Sequence, residues 1–303
     1  MCKNKIYIRS SFFILAFVLI FSGSVSDSMD AMSWPSENAS LFRNFAVNDM
    51  GKPVLGMVFR GGEEVLSAES GEVIFSRKKN DPASRLPSPL GAWTAIDHGD
   101  GLISIYSRYD DQNDFFRVEG QVERQQPIAF SGASGWSTHD GFFFMLFDRH
   151  DRRWINPAMI LMPVQETRPP QIISVSLQNA QGQIVQSNNL VQGRYSVIVN
   201  AVGGTALGTQ GPSVSNQFAP HIILCSVNGA EVGSLSFEAV SARDGIMMVY
   251  RNGLILPARQ IYANFPAYQA AEVFLTRGQA TLEVIVQDIT GNTRSIVNRL
   301  VVN

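Results

Sequence analysis

Ile96-Asp97-His98-Gly99-Asp100-Gly101-Leu102-Ile103-Ser104-Ile105-Tyr106 reads as two strands joined by a tight turn. Glycines at 99 and 101 around Asp100 supply the backbone freedom a hairpin needs, and apolar residues flank the turn on both sides. Working outward, Val65 to Phe75, Trp93 to His98, Leu102 to Tyr109 and Phe142 to Phe147 are further strand-like runs bounded by turn residues. Arg77 to Pro89 is basic and then rich in Pro and Ser, and reads as a loop. The first half of the chain is therefore expected to be all-β.

The composition shifts at Pro163-Val164-Gln165-Glu166-Thr167-Arg168-Pro169-Pro170, a polar, proline-capped stretch of the kind that links domains. Beyond it strands resume, longer and richer in Val and Ile. Tyr195, Val197 and Val199 alternate with polar neighbours, as do Leu282, Val284 and Val286. Asn228-Gly229, Asn252-Gly253 and Gly291-Asn292 mark turns. This rhythm predicts an immunoglobulin-like β-sandwich over residues 166–303, although the Cys-Trp-Cys pattern of that fold is missing.

The amino terminus bears on compartment. Lys3, Lys5 and Arg9 precede an unbroken apolar run from Phe12 to Phe21, and Ser24 and Ser26 stand at signal-peptidase spacing. Residues 1–26 are expected to be a signal peptide, with a retained N-terminal anchor as the alternative. The run is short for a permanent span, which takes roughly 20 apolar residues. Both readings put the rest of the chain outside the cytoplasm, in the periplasm or beyond the cell. Residues 27–46 form a lead-in of no readable structure, followed by the first domain over 47–165. Without 1–26 the chain carries 21 basic and 26 acidic residues, a surface that does not favour nucleic acid or anionic lipid. Cys2 belongs to the signal, which leaves Cys225 without an intramolecular partner and core burial to hold the fold together.

Three blocks of the first domain match a known family in order and spacing. They are Gly62 to Val73, the Ile96 to Tyr106 hairpin, and Gly120-Gln121 followed by Ile128-Ala129-Phe130-Ser131-Gly132-Ala133-Ser134-Gly135-Trp136-Ser137-Thr138; Asn156-Pro157 resembles the closing pair. From about Val54 to Met162 the chain resembles the lysostaphin or LytM zinc endopeptidases, which cut peptide cross-bridges in peptidoglycan. The resemblance implies a LytM-type β-sheet peptidase domain. It also implies a zinc held by two imidazoles and a carboxylate, with water at the open position and a further histidine to position it.

At the matching positions this chain departs from that pattern. The family's first pair of ligands falls on Val54 and Val58, its water-positioning histidine on Arg108, and its closing His-x-His on Gly141 and Phe143. Neither valine nor phenylalanine offers a lone pair, and a guanidinium stays protonated. No cofactor and no metal is expected, and the resemblance then implies a fold without peptidase activity. Strand alternation puts Arg108 beside Tyr106 and Ser104, with Ile103 and Ile105 on the other side. Tyr106, Arg108 and Phe143 are the candidate binding residues of a degenerate groove; the competing reading is that Phe143 and Met145 only fill a defunct pocket.

Other chemistry-bearing residues read more plainly. His98 is a turn residue, and His150 lies in a charge-dense turn, Asp148 to Arg153. His139 and Asp140, with His98, are the atypical ligands an active metallopeptidase would have to use. Ser137, Cys225 and His221 have no recognisable partner, while Trp93 is expected in the core and Trp136 at the groove edge. The expected function is a non-catalytic envelope protein that binds peptidoglycan or regulates a cell-wall hydrolase, as family members lacking zinc ligands do. A structural envelope scaffold is the third possibility.

Overall fold

Strands Ala92–Asp97 and Leu102–Tyr109 pair antiparallel across the His98–Gly101 turn, as the opening stretch predicts. Gly99, Asp100 and Gly101 all take positive φ there; the His98 N–H donates to Leu102 O, and the Leu102 N–H donates to Gly99 O. The computed structural model describes residues 31–77, 86–112, 118–163, 166–206 and 218–303. The expected signal segment and most of the basic loop after Arg77 lie outside the described residues. No described helix is long and apolar enough to cross a membrane.

The structure is nearly all-β, as expected, with one short α-helix among the described residues. One antiparallel path runs through both halves of the chain. Its order is 293–302, 278–287, 222–227, 230–243, 153–155, 141–148, 102–109, 92–97, 71–77 and 120–122. The halves meet where Arg153, Trp154 and Ile155 pair with Ser241, Val240 and Ala239. The second half also has a four-stranded antiparallel sheet built on 171–178, 193–202 and 268–275. Between the two sheets lies a core that includes Val197, Val199, Ile223, Phe237, Val284 and Val286. Cys225 sits in that core as a free thiol, its pKa pushed up to about 12 by burial.

The lead-in is not featureless. Ser40–Arg43 forms a strand against Met57–Arg60. Between them Phe45, Ala46 and Val47 are buried in the second half's core. The buried Asn48 amide donates to the carbonyls of Tyr262 and Ala267, and the Tyr262 hydroxyl donates to Ala46 O. Residues upstream of the peptidase-like sheet are thus anchored in the far sandwich.

Strand Gly141–Asp148 explains the unbroken run Phe142-Phe143-Phe144-Met145-Leu146-Phe147. A strand covered on both faces has no polar face, so the usual alternation disappears. Phe142, Phe144 and Leu146 face a closed core with Phe59, Ile96 and Tyr106. Phe143 and Met145 point the other way, into a small cluster with Phe42 and Val58.

Candidate functional site

The positions that the resemblance singles out come together on the second of these faces. Val58 lies directly opposite Phe143 on neighbouring strands, and Phe143 is opposite Ser107 on the other side. Val54 and Leu55 pack against the same cluster. Gly141 has φ +150, and a Cβ placed there would stand 1.9 Å from the Phe59 carbonyl oxygen. A side chain at that ligand position would require the backbone to move.

Arg108 reaches this face only through an irregularity. Ala92 pairs with Tyr109 but Trp93 pairs with Ser107, so Arg108 is an extra residue in its strand, with φ +63. Its N–H donates to Leu90 O and its carbonyl accepts from Ser134 N. A bulge of this kind re-aims a side chain. The Arg108 guanidinium carbon lies 5.0 Å from the centre of the Phe143 ring.

The expectation that Tyr106 and Arg108 share a face is therefore corrected. Tyr106 stays on the closed-core side, fully buried; its ring packs on Phe144 and its hydroxyl accepts from Ala68 N at 2.7 Å. It is structural in position and remote from any groove. Ile105, expected on the far side, packs beside Phe143 and Met145. Trp93 also departs from expectation, since it stacks on the partly exposed Phe75 over the open face instead of entering the core. Trp136, 72% exposed, follows the turn that Ser134 ties to Arg108.

Residues that strand alternation did not single out complete the site. Phe42, on the first strand, packs into the cluster, and the Arg60 guanidinium sits 3.3 Å from the centre of its ring. Arg43 lies 5.4 Å from the same ring and pairs with Asp49 at 2.9 Å. The His139 ring meets Phe42 edge-on at 5.4 Å. Its pKa is lowered, first by burial and then by the charges of Arg60, Arg108 and Arg43. Burial likewise lowers the pKa of Arg108, whose Nε is buried and finds no acceptor among the described residues.

The atypical ligands His98, His139 and Asp140 are not brought together. His98 bridges Ser70 O at 2.8 Å and Ser104 Oγ at 2.7 Å. A carbonyl can only accept, so Nδ1 carries the proton and Nε2 accepts from the Ser104 hydroxyl. Burial lowers its pKa accordingly. Ser137 Oγ donates to the His139 backbone carbonyl and bonds no imidazole or carboxylate among the described residues. His150 is exposed in its turn. His221 lines a separate cleft of about 590 Å³ with Trp34, Met57, Met159 and Phe218, and its Nδ1 is buried without a partner among the described residues. Among the described residues no group of three or more His, Cys, Asp or Glu stands close enough to hold a metal. The residues at the family's zinc positions do not fit the ion: they are apolar, or absent as side chains, and a cation borders them.

Several solved structures resemble part of the chain. The SpoIIQ–SpoIIIAH pore-forming complex contains a chain 22% identical over 44% of this chain and 92% of its own, with a TM-score of 0.35. The catalytic domain of the prophage-encoded M23 protein EnpA from Enterococcus faecalis is 18% identical over 42% of this chain and 94% of its own, with a TM-score of 0.34. The catalytic domain of lysostaphin from Staphylococcus simulans is 19% identical over 36% and 77%, with a TM-score of 0.28. No curated protein matches the chain. One family model matches residues 169–303, and the model of peptidase family M23 matches residues 55–157. Over residues 55–157, about a third of its length, the chain is thus similar to peptidase family M23.

Proposed function

We propose that this chain is an exported, non-catalytic member of the M23 peptidases that binds peptidoglycan or regulates a cell-wall hydrolase. One observation carries the reading: Val58 and Phe143 meet in an apolar cluster where the family resemblance calls for ligands, and Gly141 leaves no room for a third. Catalysis by the family's route needs an electron-pair donor at each of these places. The signal-like start of the chain supports export and a place in the cell envelope. In the same reading the sandwich over 166–303 is an immunoglobulin-like module, joined to the peptidase-like domain through the shared sheet.

The test is elemental analysis of the purified chain together with a peptidoglycan cleavage assay. The expected result is no stoichiometric zinc and no cleavage, with retention on sedimented peptidoglycan or co-purification of a wall hydrolase. One tightly held zinc per chain, or zinc-dependent cleavage, overturns the proposal.

A further inference from the structure

Where the family would hold a cation, this chain gathers cationic side chains. Arg60 shares a strand face with Val58, two residues away, and Arg108 is delivered to the same face by its bulge. The rings of Phe42 and Phe143, 8% and 7% exposed, lie beneath them, and His139 lies against Phe42. Arg43 pairs with Asp49, whose charge also acts on Arg108 without forming an ion pair with it. Arg60 and Arg108 form no ion pair among the described residues, and Arg108 Nε is a buried donor with nothing to donate to. Asp140 is the acidic neighbour of His139, yet His139 still titrates low under burial and the three arginines.

Two unpaired guanidinium groups over phenyl rings make a defined chemical demand. Each presents a fork of donors that matches a carboxylate, and a buried donor left unpaired is stabilised when an acceptor arrives. The apolar floor favours a ligand whose charge sits on a hydrocarbon stem over a strongly hydrated inorganic anion, which would have to shed more water. A peptide that ends in an apolar residue combines these features: its terminal carboxylate suits the arginines and its apolar end suits the part of the Phe42 and Phe143 rings left exposed between them.

We infer that Arg60 and Arg108, above Phe42 and Phe143, form a binding site for the terminal carboxylate of an apolar peptide. This deepens the non-catalytic reading and rests on it, because a metal in the same space would exclude the guanidinium groups.

The experiment titrates N-acetyl-leucine, its amide, and inorganic phosphate into the purified full chain and follows the arginine Nε–H signals by NMR. The free acid is expected to bind about tenfold or more tightly than the amide, with phosphate a poor competitor. Arg108→Gln and Arg60→Gln should each reduce affinity for the acid about tenfold, whereas Arg149→Gln, at the far end of the sheet beside Asp97, should not. Arg60 is exposed, so its variant tests the site even where the Arg108 variant folds poorly. Absence of acid binding, equal binding of acid and amide, or full competition by phosphate overturns the assignment. Zinc content, measured on the same sample, reports on the parent proposal independently.

Discussion

The two faces of strand Gly141–Asp148 carry similar side chains to different ends. On one face Phe142, Phe144 and Leu146 lie in a closed core with Tyr106, whose hydroxyl finds a backbone partner. On the other, Phe143 and Met145 join a small cluster that continues into an open apolar hollow lined by Phe75, Trp93, Ile103, Phe147 and Trp154. The first face satisfies every demand internally. The second leaves aromatic surface and arginine donors unmet, which is what a binding surface requires and a purely structural one avoids.

The contrast is tested most strongly by truncating one ring on each face. Phe144→Ala should cost about 3–5 kcal/mol, because the cavity forms in a closed core. Phe75→Ala, at a ring 40% exposed, should cost about 1 kcal/mol or less. Equilibrium unfolding in urea measures both, and similar losses would erase the distinction between the faces.

A smaller effect is expected at Gly141. Its φ of +150 and the 1.9 Å that would separate an added methyl carbon from Phe59 O mean that Gly141→Ala must displace a strand pair. A loss of about 1–3 kcal/mol is expected. A double variant, Gly141→His with Phe143→His, should lose stability without taking up zinc; stoichiometric zinc in that variant would show that the backbone adapts readily and that only side-chain chemistry was lost.

The smallest effect is a pH dependence. His98, His139 and His221 all have lowered pKa values, with burial the leading cause in each. The unfolded chain then binds more protons than the folded one just below the ordinary histidine value of about 6.5, so stability falls as pH drops through that range. The lowered carboxylates of Asp97 and Asp148 act in the same direction but only near and below about pH 4. Denaturant midpoints between about pH 7 and pH 5 should decline, and His98→Gln should flatten part of the decline. A flat profile in the parent protein would contradict the lowered pKa values of these histidines.

Much of this was readable beforehand, for identifiable reasons. The His98–Gly101 hairpin is local chemistry: positive φ at three successive residues is written into Gly-Asp-Gly. The failure over Tyr106 and Arg108 is equally specific. Alternation assumes an uninterrupted strand, and one extra residue at Arg108 reverses the side on which it emerges. No residue type announces that bulge, since arginine has no preference for positive φ. Phe42, Arg43 and Arg60 were missed because their meeting depends on pairing between a lead-in strand and a strand some fifteen residues on, which no local pattern encodes.

From the sequence alone came the strand class, the hairpin, the family resemblance and the residue types at the positions where that resemblance calls for metal donors, because each depends on residue identity over short spans. Tertiary structure alone decided that Arg60, Arg108, His139, Phe42 and Phe143 share one surface, and that one sheet passes from the peptidase-like half into the sandwich. The physical reason is that strand pairing joins residues distant in the chain, and a single bulge or pairing register determines which side chains meet.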